Sequence, residues 1–344
     1  MDDSTRREFA ENLLVAGFIS LPAMEACTLQ PAVPAMRTMP RKEWEPCYMR
    51  ASRSGELDKR AKELFAIYKS CRLCPRQCGV NRLKSEPGVC NGTSRVKVYS
   101  AHPHFGEERS LVGRGGSGTI FFSNCNLRCC FCQNWEIAHR GDGSFISDEQ
   151  LARLMIELQE HGCHNINLVT PTHYVPNIVN ALRYAIPRGL RIPLVYNCGG
   201  YEPVEIIRLL DGLVDIYLPD YKYTDGAMSA KYSSGAADYP EVAAEAIAEM
   251  HRQVGEVIVD EKGIALRGLM IRHLVLPQNI AGTDKFVRYV AERLTTGTYV
   301  NIMAQYHPDH EAHKYPELSR RITSQEFQQA LRWAREAGLT RLDS

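Results

Sequence analysis

Short apolar runs alternate with amphipathic stretches from residue 119 onward, and this alternation limits the possible folds more than any other feature of the chain. Six runs have the length and composition of strands, and they span residues 119–122, 165–169, 192–196, 214–218, 269–276 and 299–303. The stretch 148–161 is typical of a helix, because Ser147 and Gln150 form a capping box before it and Gly162 follows it. Strands that alternate with helices in this way form parallel βα units. We therefore predict an α/β fold, a partial (βα)6 TIM-type barrel with an N-terminal cysteine-rich metal-binding module.

Three cysteines follow the first of these runs. Cys125, Cys129 and Cys132 form a Cys-x₃-Cys-x-Phe-Cys pattern. Three thiolates this close can hold three irons of a [4Fe–4S] cluster and leave the fourth iron open. The open iron could chelate a ligand through an amine and a carboxylate, and S-adenosylmethionine (SAM) carries both groups. Cys130 could replace Cys129 as a ligand, although the spacing favours Cys129, and Phe131 could pack on an adenine. The alternatives are a zinc knuckle or unrelated free thiols.

Polar residues follow the later strand-like runs, where a parallel barrel carries its chemistry. They come after the second, third, fourth and sixth runs, in the segments 170–173, 197–200, 220–222 and 305–308. By topology alone, these segments and the three cysteines form one candidate site.

A second cysteine group precedes the barrel. Cys71, Cys74, Cys78 and Cys90 supply four thiolates within twenty residues. This number suits either a structural Zn²⁺ site or a second iron–sulfur cluster, and the spacing favours neither. Three arginines close to the group in sequence would lower the pKa of its thiols, and they are Arg72, Arg76 and Arg82.

Composition excludes some classes of function. The chain has 41 basic and 40 acidic residues, a formal net charge of +1, so no general field favours nucleic acid or an anionic membrane. Twelve cysteines are too few for a disulfide scaffold of 344 residues, and their clustering fits metal chemistry in a reducing compartment. We therefore expect a cytoplasmic protein without a membrane span.

The cysteine run on a first strand, followed by five further βα units, resembles the radical SAM superfamily, and more narrowly its pyruvate formate-lyase-activating-enzyme-like branch. The resemblance covers residue 69 to the end. It implies that Lys222 contacts the sulfonium cofactor, that Arg272 lies near its carboxylate and ribose, and that His307 reaches the same cofactor. It also implies a [4Fe–4S] cluster, SAM, and a reducing electron donor of flavodoxin or ferredoxin type.

Two segments depart from the pattern of that branch. The loop after the second strand lacks the glycine-rich acidic motif that grips the amino group of the cofactor, so Thr170, Thr172 or a backbone carbonyl must substitute for it. Asn197 stands where activating enzymes carry an aspartate after the third strand.

These observations lead to one leading function and two alternatives. We expect a radical SAM oxidoreductase that generates a 5′-deoxyadenosyl radical for hydrogen abstraction, most similar to an activase that installs a glycyl radical on a partner enzyme. The target could instead be a small molecule or a peptide side chain. A non-catalytic iron–sulfur electron carrier is the third interpretation.

The sequence divides into four segments. Residues 1–30 are either a twin-arginine-like signal, with Arg6 and Arg7 before a short apolar stretch, or a disordered N-terminus. Residues 31–115 form a linker and the cysteine-rich module, and residues 116–310 form the radical SAM core barrel. Residues 311–344 form a C-terminal helical segment, in which Thr323 and Glu326 make a second capping box.

Overall fold

The computed structural model describes residues 36–343. The predicted segment 1–30 therefore lies outside the described residues. The strands are β1 (Arg37–Thr38), β2 (Val96–His104), β3 (Ser117–Phe122), β4 (Ser144–Ile146), β5 (Ile166–Val169), β6 (Leu194–Cys198), β7 (Ile216–Pro219), β8 (Ile258–Val259), β9 (Ala265–Leu274), β10 (Tyr299–Met303) and β11 (Leu342–Asp343). The helices are α1 (Cys47–Arg53), α2 (Glu56–Ala66), α3 (Arg109–Val112), α4 (Asp148–Glu160), α5 (Val175–Ala185), α6 (Val204–Leu209), α7 (Gly226–Tyr232), α8 (Tyr239–Val254), α9 (Thr283–Arg293) and α10 (Ser324–Glu336).

The core of the fold is a parallel sheet with neighbouring strands in the order β3-β5-β6-β7-β9-β10. These are the six strands predicted from the sequence, each displaced by only a few residues, so the α/β fold is confirmed. The edges make the sheet mixed, because β2 runs antiparallel to β3, β4 antiparallel to β2, and β8 antiparallel to β9. In residues 36–343 no strand pairing joins β3 to β10 or β11, so the sheet is not closed.

Both predicted capping boxes are present at helix starts. At α4 the hydroxyl of Ser147 accepts from the backbone N–H of Gln150, and the N–H of Ser147 donates to the side-chain oxygen of Gln150. Thr323 and Glu326 make the same two bonds at α10. The helices bury apolar faces against a sheet whose central strands are themselves buried, as β6 is along its whole length. A near-continuous apolar strand covered on both faces is typical of a parallel sheet.

The segment before the barrel packs against the barrel helices and strand ends. Tyr48 of α1 is fully buried and donates its hydroxyl to the carbonyl of Ile192, at 2.8 Å. Tyr68, after α2, donates its hydroxyl to the side chain of Asn177 in α5. These buried bonds fix the entry to the cysteine-rich segment 71–90.

Across residues 36–343, every helix is too short or too polar to span a lipid bilayer.

Candidate functional site

A cleft opens at the carboxyl ends of the parallel strands. Its wall combines part of the cysteine loop after β3, the segment after β7, and side chains of β9 and β10. The residues that matter below are Cys129, Phe131, Cys132, Glu107, Asp220, Lys222, Arg272 and Asn301. The cleft lies where the topology of the predicted barrel required a site.

The three cysteines of the loop are closely spaced, with Cys129 buried and Cys125 and Cys132 half-buried. Burial and the charge of Cys129 raise the pKa of Cys125 to about 11. Burial and the charges of Cys125 and Cys129 raise the pKa of Cys132 to about 12. The three thiols therefore resist ionisation without a cation, and a metal that binds them displaces their protons.

Polar hydrogens are aimed at the sulfurs of this loop. The backbone N–H of Leu127 donates to Cys125 Sγ at 3.4 Å, and the hydroxyl of Ser233 donates to Cys129 Sγ at 3.0 Å. Such bonds favour thiolates, the form that ligates iron. The donor set therefore fits a metal group held by anionic sulfur.

Cys130 occupies a different place from its neighbours. It lines a second surface cleft with Tyr232 and His310, whereas Cys129 and Cys132 line the first. The backbone N–H of Cys130 donates to the carbonyl of Tyr232 at 2.8 Å, which holds this orientation. This arrangement favours Cys129 over Cys130 as a partner of Cys125 and Cys132.

The spacing of the sulfurs distinguishes a single ion from a cluster. Within residues 36–343, no group of three or more Cys, His, Asp or Glu side chains closes on one point as a single metal ion requires. Four thiolates on one Zn²⁺ would lie about 3.8 Å apart, from a Zn–S bond of about 2.3 Å in a tetrahedron. In an iron–sulfur cluster each thiolate binds its own iron, so the sulfurs stand further apart.

Lys222 supplies a fixed positive charge beside the cysteines. Its Nζ lies 2.6 Å from Asp220 Oδ2, and both side chains are largely buried. Although burial lowers the pKa of Lys222, the charges of Asp220 and Cys129 raise it above its ordinary value, so the ammonium form persists.

The backbone around Lys222 is held by a neighbouring tyrosine. The N–H of Lys222 donates to the hydroxyl of Tyr239, which in turn donates to the carbonyl of Gly199. Gly200 has φ +78°, and a Cβ there would lie 2.2 Å from the carbonyl oxygen of Asp220. Only glycine fits this close approach of two strand ends.

Arg272 lines the cleft, but carboxylates already occupy its guanidinium. Nε and Nη2 each lie 2.7 Å from an oxygen of Glu108, and Nη2 also contacts Glu107. Asn301 Nδ2 donates to Glu108 Oε1 at 2.9 Å. Burial alone would raise the pKa of Glu108, but Arg272 overrides this and holds it below the ordinary value. The resemblance places the guanidinium of Arg272 near the carboxylate of the cofactor. In the structure, the carboxylates of Glu107 and Glu108 already contact that guanidinium and would compete with the cofactor.

Three other predicted residues do not line the cleft. Thr172 is buried, and its hydroxyl donates to Glu202 Oε1 at 2.6 Å. Thr170 has φ +59°, and its N–H donates to the carbonyl of Asn197. His307 Nδ1 lies 2.8 Å from Asp309 Oδ2 at the surface. Of the predicted cofactor-binding residues, the cleft brings together Phe131, Lys222 and Arg272.

The sequence did not draw attention to Glu107, Glu108 or Ser233. The two glutamates stand in the segment between β2 and α3, and a pair of adjacent acids near two histidines was their only local signal. Ser233 meets Cys129 from 104 positions away along the chain, and no local pattern marks it.

The second cysteine group is drawn together around an arginine. Cys71, Cys74 and Cys90 are buried and Cys78 is half-buried. Arg82, only 1% exposed, lies among them, whereas Arg72 is exposed. Arg76 reaches the loop of the first cysteine group, where it donates to the carbonyls of Asn126, Ser233 and Ser234.

Comparisons with known proteins place the cysteine loop within a family match. The family model described as the radical SAM superfamily matches residues 119–253. An uncharacterized protein of Methanocaldococcus jannaschii is 33% identical over 286 residues, which cover 79% of this chain and 76% of that protein.

Similar solved structures include HydG, a maturase of the [FeFe]-hydrogenase, at 12% identity and a TM-score of 0.45. They also include Streptococcus suis SuiB bound to S-adenosylmethionine, at 12% identity and 0.40, and methylornithine synthase, at 11% identity and 0.39. The matches cover 63%, 62% and 63% of this chain and 49%, 44% and 67% of those chains. The chain thus spans about half the length of the first two. Residues 119–253 of the chain are thus a radical SAM superfamily domain.

Proposed function

We propose that this protein is an enzyme that cleaves SAM reductively and uses the resulting radical to abstract a hydrogen atom. The observation that carries the proposal is that Cys129 and Cys132 share one cleft with the largely buried cation Lys222 at the strand ends. A cation fixed beside a cluster loop suits a ligand that carries a carboxylate.

Cys125, Cys129 and Cys132 would hold three irons of a [4Fe–4S] cluster in a partial barrel. When bound, the cluster and SAM supply the electron and the 5′-deoxyadenosyl group for hydrogen abstraction. The protein's own part is to direct donors at two of the three sulfurs, the N–H of Leu127 at Cys125 and the hydroxyl of Ser233 at Cys129. It also keeps the ammonium of Lys222 in place through Asp220.

Phe131 supplies an apolar surface in the same wall. Its ring packs edge-on against Tyr223 and Tyr306, with centroids 6.3 and 5.8 Å away. Because both neighbours are buried, the ring is held in position. This supports a role for Phe131 in packing on the adenine.

For the target, we favour a glycyl radical on a partner protein. The segment Asp220-Tyr221-Lys222 after β7 supports this, because it resembles the equivalent segment of activating enzymes. A reductant of flavodoxin or ferredoxin type would supply the electron.

A small molecule or peptide side chain is the second candidate target. Glu107 supports it, because this carboxylate lines the cleft with only 6% of its side chain exposed and contacts His104 Nδ1 at 3.0 Å. A carboxylate in the cleft would suit a substrate with an amine or hydroxyl. Asn197, which stands in place of an acid, also permits this target.

Cofactor binding is tested by electron paramagnetic resonance (EPR) of the anaerobically reconstituted, reduced protein. Added SAM should change the cluster signal, because it would coordinate the open iron. The change that SAM causes in the EPR signal is also measured for the Lys222→Met variant. The matched control is Lys231→Met, which replaces an exposed lysine. A spectrum unchanged by SAM in the unmodified protein would favour the electron-carrier interpretation and contradict the proposal.

The target is tested by adding a candidate glycyl radical enzyme. Appearance of the doublet EPR signal of a glycyl radical, dependent on SAM and on this protein, supports the activase. If SAM is cleaved without that signal, the second candidate target is favoured.

A further inference from the structure

The cysteines at positions 71, 74, 78 and 90 form a second site, independent of the cleft. The chain folds back on itself there, because the N–H of Cys71 donates to the carbonyl of Val80 and the N–H of Gly79 donates to the carbonyl of Cys71, both at 3.0 Å. This reversal sets the Cys71 and Cys78 thiols beside each other. Cys74 lies near Cys90 and Cys71, so all four sulfurs share one region.

Arg82 is the decisive feature of this region. Its Nε donates to Cys71 Sγ at 2.9 Å, and its Nη2 donates to Cys90 Sγ at 3.1 Å. Among residues 36–343, no carboxylate lies within ion-pair distance of it. A buried guanidinium is stable only beside groups that accept its hydrogen bonds. Two of the four sulfurs accept them here, an arrangement that suits a group held by anionic sulfur.

Backbone N–H groups add further donors around the four sulfurs. Each sulfur is approached by the N–H two positions along the chain, from Leu73, Arg76, Val80 and Gly92 in turn. The isolated Cys198 also receives such an N–H, from Gly200, so this contact alone would mean little. The combination of four gathered sulfurs with one buried arginine distinguishes the group.

Two glycines lie directly against the arginine. A Cβ at Gly88 would lie 2.6 Å from Arg82 Nη2 and 3.0 Å from Cys78 Sγ. A Cβ at Gly92 would lie 2.7 Å from Arg82 Nη1 and 3.3 Å from Cys90 Sγ. The backbone therefore closes over the sulfurs and the guanidinium together.

The set of four cysteines around one cation suits a metal group. Bound to a metal as thiolates, the four cysteines would carry four negative charges, of which Arg82 would neutralise one. We propose that Cys71, Cys74, Cys78 and Cys90 hold a second [4Fe–4S] cluster, with one thiolate on each iron. Because all four irons then have a cysteine, no position is open, and the site binds neither SAM nor substrate.

A single Zn²⁺ fits this geometry less well. Zn²⁺ would draw the four sulfurs to within about 3.8 Å of one another. No group of three metal-binding side chains in residues 36–343 converges in that way. One iron per sulfur needs no such convergence.

Arg76 connects this site to the first cysteine loop. Its three nitrogens donate to carbonyls of Asn126, Ser233 and Ser234, at 2.8 to 3.1 Å. Ser233 is also the residue whose hydroxyl reaches Cys129. The second cluster would therefore also brace the loop that carries the first site.

The test uses the full chain with Cys125, Cys129 and Cys132 all changed to alanine, so that the first site cannot hold iron. After anaerobic reconstitution with iron and sulfide, this variant should retain about four irons and about four sulfides per chain, the content of one [4Fe–4S] cluster. Its Mössbauer spectrum should be that of such a cluster. About one zinc per chain in the purified variant, with no retained iron, would overturn the proposal in favour of a single-ion site. Absence of both metals from a folded variant would overturn it altogether.

Two further variants of that background locate the iron. Cys78→Ser, at the half-buried member, should lose most of the iron, whereas Cys163→Ser, at an isolated cysteine, should keep it. Arg82→Met should also lose most of the iron, and Arg72→Met, at the neighbouring exposed arginine, should not. Circular dichroism confirms that each variant is folded, and iron unaffected by both Cys78→Ser and Arg82→Met in folded protein would contradict the assignment.

Discussion

Replacement of Arg272 by methionine tests whether the arginine mainly stabilises the fold or mainly binds a ligand. Methionine keeps much of the side-chain volume but removes the charge that faces Glu107 and Glu108. The Glu108 side chain is fully buried, and it accepts two bonds of 2.7 Å from the guanidinium. Without the arginine, Glu108 keeps only the bond from Asn301 among its described side-chain contacts.

The expected cost follows from burial. Removal of one partner from a buried ion pair leaves an uncompensated charge and typically costs about 3–5 kcal/mol. We expect Arg272→Met to lower the free energy of unfolding by that amount. Glu108→Gln in the same chain removes the stranded charge, so the double variant should be more stable than the sum of the two single variants predicts, by about 1–3 kcal/mol.

Urea unfolding followed by circular dichroism measures these free energies, with all variants in the same metal-loaded form. Arg53→Met is the matched control. Arg53 makes a two-pronged ion pair with Glu45 at 2.6 and 2.7 Å, but both side chains are about half exposed, so its loss should change stability little. If Arg272→Met is no more destabilising than Arg53→Met but still weakens SAM binding, Arg272 is chiefly a ligand contact and the reasoning is wrong.

Three more predictions follow from individual residues. Burial raises the pKa of Glu202 to about 8, from an ordinary value of 4.5. Between these two pH values the folded protein keeps a proton on Glu202 that the unfolded chain has lost. This contribution to stability is full at low pH and is lost as pH rises toward 8, with a slope of up to about 1.4 kcal/mol per pH unit. Glu202→Gln should flatten the fall of the melting temperature between pH 6 and 8, and parallel curves would contradict the assignment. Cys130→Ala should keep the iron content of the wild type, whereas Cys129→Ala should lose about four irons, and the reverse would mean that Cys130 is the ligand. Lys222→Met should weaken SAM binding by about 1.5–3 kcal/mol, measured by equilibrium dialysis, the range for hydrogen bonds to charged groups, and an unchanged affinity would exclude a direct contact.

The sequence predicted the parts of the fold that depend on local pattern. The six strands follow from apolar runs, and the starts of α4 and α10 follow from Ser147 with Gln150 and Thr323 with Glu326. The cysteine loop could be placed because the carboxyl ends of parallel strands share one edge of the sheet.

Contacts between distant parts of the chain could not be predicted. Arg272 and Glu108 are 164 positions apart, and nothing in either segment marks the other as its partner. Thr172 is a similar case. The sequence proposes it as a cofactor contact, but its hydroxyl donates to Glu202, which lies in a different loop. Propensity and spacing describe neighbours along the chain, whereas these pairs depend on how the loops pack.

Product analysis tests the central proposal most directly. The anaerobically reconstituted protein is reduced with dithionite, mixed with SAM, and assayed by liquid chromatography and mass spectrometry for 5′-deoxyadenosine. We predict that the wild type forms this product, and that Cys125→Ala, Cys129→Ala and Cys132→Ala do not. A wild-type protein with an intact, reduced cluster at the first site that forms no 5′-deoxyadenosine would contradict the proposed function.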